Sequence, residues 1–136
     1  MSKVPQFIDH IREVILATPI FLQKGFTEQT LYRRYLPQIK AETIQYPCMT
    51  LTYDMDMRAK WAPIDDLRLY LTIHMKTFED VAVILDALAD TLHDHKYADC
   101  YITIYRLWLE GGPPAPIYDQ MTNKWWARLE FSASIA

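Results

Sequence analysis

The chain has 136 residues, of which 51% are hydrophobic and 23% charged, with 14 Lys and Arg against 17 Asp and Glu and a formal net charge of −3. That length suits one domain, 1–136, with one core, and no apolar run approaches the roughly 20 residues that cross a bilayer. The charge argues against a duplex-binding role, because neutralising phosphates calls for a basic face.

The acidic excess is uneven. Residues 1–68 carry nine basic and eight acidic groups, residues 69–136 five and nine. The N-terminus leads into a periodic helix with Asp9, Arg12 and Glu13, and lacks the apolar core of a signal peptide, so the expectation is an intracellular, soluble protein without membrane contact. Cys48 and Cys100 fall in strand-like segments and are read as buried thiols rather than a disulfide.

In chain order, Val4, Phe7, Ile8, Ile11, Val14, Ile15 and Thr18 form a helical stripe over 4–18, with Pro5 acceptable in the first turn and Pro19 ending the helix. Residues 20–44 have a turn at Gly25 and a short edge strand broken by Pro37. Arg33, Arg34 and Lys40, interleaved with Tyr32 and Tyr35, read as solvated surface. Pro47 opens a strand over 48–53, with Met49, Leu51 and Tyr53 inward and Thr50 and Thr52 outward. The alternation stops from Asp54 to Asp66, which reads as a loop. It resumes over 67–76, where Leu67, Leu69, Leu71, Ile73 and Met75 alternate with Arg68, Tyr70, Thr72, His74 and Lys76.

Residues 77–94 predict an amphipathic helix. Phe78, Val81, Leu85, Leu88 and Leu92 form its apolar stripe, with Ala82, Ile84 and Ala89 at the margins. Thr77 is the expected N-cap, Glu79 and Asp80 suit the first turn, and Asp86, Asp90 and Asp94 mark the wet side. In the strand over 101–109, Ile102 and Ile104 share one face and Leu107 and Leu109 the other, which predicts a bulge near Tyr105 and Arg106. After a proline-rich loop, 111–123, a last strand over 124–132 puts Trp125, Ala127, Leu129 and Phe131 inside and Trp126 outside. The expected fold is α+β in the order α-β-β-α-β-β, a mostly antiparallel four-stranded sheet with two helices on one face.

Two constellations could hold a cation. Asp54, Asp56, Asp65 and Asp66 bracket one loop and would suit a hard divalent ion, making a small metal-dependent or ligand-binding enzyme the alternative function; a polar loop is the plainer reading, since no glycine-bearing calcium loop or phosphate cradle accompanies them. His93 and His95 with Asp90 and Asp94 could suggest a metal site, but histidines also gather at helix C-termini. His10 and His74 have no partner visible in the sequence. No Ser or Cys has a nucleophile's context. No catalytic residue, cofactor or metal is therefore expected.

The element order resembles the small tail-terminator, or head-to-tail joining, proteins of long-tailed bacteriophages. The likeness rests on a leading helix, the Tyr46-Pro47 pair opening a strand, an alternating strand running straight into an amphipathic helix, and a proline-containing loop before a final Arg/Glu-bearing strand ending at Ala136. The resemblance implies a non-enzymatic virion protein of the neck, made in the host cytoplasm. It would form a homo-oligomeric, hexameric ring that caps the tail tube, with the tail tube protein and a head-completion or connector protein as partners and DNA passing through without specific binding. Aromatic and Met residues at nominally exposed positions supply interface candidates: Met55, Met57, Trp61, Trp108, Ile117, Tyr118 and Trp126.

Overall fold

The computed structural model describes residues 3–33, 43–55 and 63–136. In chain order its elements are α1 (Val4–Ala17), α2 (Pro19–Gln23), a single 3-10 turn (Glu28–Thr30), β1 (Leu31–Tyr32), β2 (Cys48–Met55), β3 (Asp65–Met75), α3 (Phe78–Leu92), β4 (Tyr97–Ala98), β5 (Thr103–Leu109), β6 (Ile117–Asp119) and β7 (Lys124–Ile135).

The strict alternation of β3 and β7 makes them the spine. They pair antiparallel from Asp65 opposite Ile135 to Met75 opposite Trp125. On one face stand Leu67, Leu69, Leu71, Ile73 and Met75 beside Ala127, Leu129, Phe131, Ala133 and Ile135, all buried. The stripes of α1 (Val4, Phe7, Ile8, Ile11, Ile15) and α3 (Val81, Ile84, Leu85, Leu88, Leu92) share one core with that face. α1 and α3 thus share the core with one face of the sheet, and α2, a third helix absent from the expected order, adds Phe21 to it. Burying a stripe of branched side chains between helix and sheet is the main stabilising term of such a layer.

The sheet is larger than four strands. Among the described residues seven strands take part, in the order β1-β2-β3-β7-β5-β4, with β6 also on β7. β1 is parallel to β2 and every other pair is antiparallel. The additions are strands of two or three residues and the five-residue α2, too short to show a period. Pro19 opens α2 rather than merely ending α1, because proline is tolerated where a first-turn amide has no partner anyway. The edge strand expected after Gly25 exists as β1; Pro37 lies outside the described residues.

Other expectations shift. β2 runs to Met55 and β3 begins at Asp65, so Asp54, Asp65 and Asp66 lie in strands, not in a loop. Tyr53 has core parity but is 45% exposed. Ala133 to Ile135 extend the last strand beyond 132. α3 stops at Leu92, and Asp94 sits beyond the cap with φ 61°, so it is not part of the helix's outer face. Phe78 is 40% exposed and meets Trp125 edge-on instead of joining the core stripe. Cys48 is buried, whereas Cys100 is exposed in the turn after β4. The bulge is where the periodicity puts it: the β5–β7 register shifts between Ile104 and Arg106, which buries both Ile104 and Leu107.

Candidate functional site

Among the described residues no helix stripe faces the other side of the sheet, and the most elaborate side-chain arrangement lies there. Pairing of β2 with β3 and β3 with β7 sets Thr50 beside Thr72, Thr52 beside Tyr70, His74 beside Trp126, Thr72 beside Arg128 and Tyr70 beside Glu130 on this outer face. Diagonal neighbours complete it. The Arg128 guanidinium lies 4.7 Å over the Tyr70 ring, and Arg68 Nη1 donates to Glu130 Oε1 at 3.3 Å. His74 stacks near Trp126, centroids 6.5 Å apart, and meets the edge of Tyr46; Lys124 lies 4.9 Å over Tyr46. The Arg128–Tyr70 and Lys124–Tyr46 links place a cation on a ring and the His74–Tyr46 link an aromatic edge, contacts that order flat side chains at low entropic cost.

The chain between β5 and β6 overhangs this face. β5 leaves β7 with Leu109 opposite Phe131, and β6 returns with Ile117 opposite Trp126. The excursion Glu110–Pro116 therefore bridges a gap along β7. Pro114, Ala115, Ile117 and Asp119 wall a hollow of about 610 Å³ floored by Thr50, Thr72, His74, Trp126 and Arg128. Three prolines, Pro113, Pro114 and Pro116, fix φ along the overhang and remove amide donors, so it stays off the ladder. Burial pushes the His74 pKa down to about 4, against a small upward pull from Asp119, so the ring is neutral at pH 7. The Cys48 thiol, on the same face, is pushed up to about 12 by burial and is inert as a nucleophile.

The sequence-derived interface residues divide. Ile117 and Trp126 face each other across β6 and β7 on the outer face, the first 53% exposed and the second half-buried. Tyr118, opposite Trp125, points to the other side and leans on that ring at 5.2 Å. Trp108 stands on the outer face beside Ser132, against His93 and under Arg106. Met55 is exposed at the end of β2, on the opposite flank of the sheet from β5. The structure thus brings Ile117 and Trp126 together and separates Met55 and Trp108 from them. Met57 and Trp61 lie outside the described residues.

The cation readings meet a different chemistry. Ser134 Oγ donates to Asp66 Oδ1 at 2.6 Å, and the Asp54 carboxylate hydrogen-bonds Tyr70, raising the phenol's pKa after the larger effect of desolvation. Asp54 and Asp66 thereby hold neighbouring strands, and Asp56 lies outside the described residues. Among the described residues no group of three His, Cys, Asp or Glu side chains converges as a metal site. His93 and His95 diverge: His93 Nδ1 accepts the Leu109 amide at 3.0 Å, while His95 meets His10. The partners of His74 and His10 are the features that sequence reasoning missed. The alternation that put His74 on the polar face of its strand was present, but the strand pairing that sets it beside Trp126 was not.

No protein-family profile matches the chain, and no curated protein matches it. Its fold is shared with a chain of a solved structure described as the virion of a native gene transfer agent (GTA) particle, at a TM-score of 0.69 and 14% identity, over 92% of this chain and 90% of the other.

Proposed function

We propose that this protein is a structural component of a phage-like particle, acting in the neck as a tail terminator that caps the tail tube and joins it to the head. The observation that carries the reading is the fold shared, over nearly the whole of both chains, with a chain of a gene transfer agent virion. The order of long elements, with a leading helix and an alternating strand feeding α3, supports the same reading. In this role the protein is not an enzyme. It works as a ring of identical subunits, a hexamer in the particle, between the tail tube protein and a head-completion or connector protein, with DNA passing through unread. A closed ring needs two different surfaces per subunit. The overhang and Ile117–Trp126 patch on the outer face, and the β2 flank with Met55, supply that pair; Met57 and Trp61, which follow Met55 in sequence, are further candidates for the second surface. Trp108, beside Ser132 further along β7, and Tyr118, on the opposite side of β6 from Ile117, stand apart from both. Large exposed aromatic and aliphatic side chains with a rigid proline segment lose little entropy on docking, which favours such a surface as an interface.

The test is deletion of the gene from the particle that encodes it, followed by electron microscopy and transfer or infection assays. The reading requires filled heads and separate tails with unfinished ends, restored by supplying the protein in trans. Normal particles in the deletion would reject it.

A further inference from the structure

α1 is tied to the corner between α3 and β4 by two imidazoles. His10 Nε2 lies 3.0 Å from His95 Nε2 across 85 positions of sequence, with ring planes 20° apart and centroids 5.3 Å apart. The centroid separation exceeds the nitrogen separation by about two ring radii, so the rings lie end to end and share one line. That is the geometry of an N–H···N hydrogen bond, one ring donating and the other accepting; two ligands of one tetrahedral ion would instead approach at an angle. Tyr97 of β4 stacks on His10 at 3.8 Å, and its hydroxyl donates to Asp99 Oδ2 at 2.8 Å. Asp99 Oδ1 in turn accepts the Tyr101 and Ile102 amides. A continuous series thus runs from α1 into the turn that starts β5.

We propose that the His10–His95 pair is an acid-opened latch, holding α1 to the α3–β4 corner with at most one extra proton on the two rings and releasing it when both are charged. In the neutral pair one Nε2–H donates to the other Nε2. A first proton added to the Nδ1 of the donor ring makes that bond charge-assisted and stronger. A second must go to the accepting Nε2, which removes the acceptor and sets two like charges in contact. The groups facing His10 are Asp9 and Glu13 on α1, His95 on the corner, Tyr97 on β4, and Asp99 and Tyr101 beyond it. Asp9 pairs with Arg33, and Lys96, next to His95, lines a separate hollow with Asp94 and Arg106. Glu13 and Asp99 favour the charged ring, yet burial and then the His95 charge outweigh them and lower the His10 pKa. With the folded His10 value below the unfolded 6.5, the fold resists a proton on this ring, so what His10 contributes is lost as pH falls below that value.

The experiment is nitrogen-detected NMR of the imidazoles from pH 8 to 4.5, with amide exchange, on the whole protein and on H95Q and H10Q. Glutamine keeps a donor within reach but cannot take the proton. The latch requires two proton steps for the pair, separated by more than about one pH unit. It also requires a His10 midpoint that rises in H95Q, and exchange in α1 that accelerates at low pH ahead of the sheet in the wild type only. Two independent single-site curves, with His10 unmoved in H95Q, overturn it. So does exchange that accelerates in α1 and β3 together, which is global acid unfolding. Should H95Q fail to fold, the wild-type step separation and the α1-to-sheet exchange ratio decide alone.

Discussion

His74 lies between Tyr46 and Trp126 on the outer face, and burial holds its pKa at about 4 against 6.5 for a free imidazole. Below pH 6.5 the unfolded chain therefore takes a proton that the folded ring refuses. Stability from this residue is complete above pH 6.5 and drains away as pH falls towards 4, by about 3 kcal/mol in all. Urea unfolding at pH 7.5 and 4.5 should show most of that loss in the wild type and a much smaller one in H74Q. Equal losses in both would assign the acid sensitivity elsewhere. Gly25 is the other residue whose replacement has a stated cost. Its φ of 99° is one that side chains rarely adopt, and an added Cβ would come within 3.2 Å of Pro47 Cγ, at the entry to β2. Gly25→Ala should cost about 1–2 kcal/mol in the same unfolding experiment.

Among the elements, α3 makes the sharpest prediction because its start, face and end are all accounted for. Thr77 Oγ1 accepts the Asp80 amide at 3.1 Å, and the Asp80 carboxylate receives Lys24 Nζ at 3.0 Å, tying α2 to the first turn of α3. Thr77→Ala should cost about 1 kcal/mol. Leu88 is fully buried, and Leu88→Ala should cost roughly 2–5 kcal/mol, against under about 1 for the exposed Leu22→Ala. Thermal or urea melts of the three variants check the ranking. These elements were legible in the sequence because long periods announce themselves: α1, α3, β3 and β7 stand where their stripes and alternation put them, and the β5 bulge follows from a phase change between Ile104 and Leu107. The short strands were not legible. Two residues such as Leu31–Tyr32 have no period, and their pairing is decided by the neighbouring β2. The outer face was half legible: Trp126 was set outside by alternation, but its contact with His74 and its cover by Pro114 depend on which strands pair.

At the scale of the whole molecule, the assembly reading turns on whether the exposed apolar groups at one end of the outer face are spare or used. Ile117 is 53% exposed opposite Trp126, and Met121, in the turn between β6 and β7, is 96% exposed. Neither Ile117 nor Met121 belongs to the buried core cluster of the described residues, so replacing them separates folding from assembly. Ile117→Glu should leave stability within about 0.5 kcal/mol, as exposed sites do, while Trp126→Ser, whose ring also rests near His74, should cost more. Both should prevent heads from joining tails if this patch is one of the two ring surfaces. Trp61→Ser, a candidate for the second surface from its sequence alone, should do the same. A subunit with one good and one spoiled surface can still occupy a place in a ring, so a mixture of wild type and Ile117→Glu should poison assembly in proportion to its share. The measurement is joined particles per head by electron microscopy, beside melting curves of each purified variant. Folded variants that all join heads to tails at wild-type yield would remove these surfaces from the interface and leave the fold as the remaining support for a place in the particle.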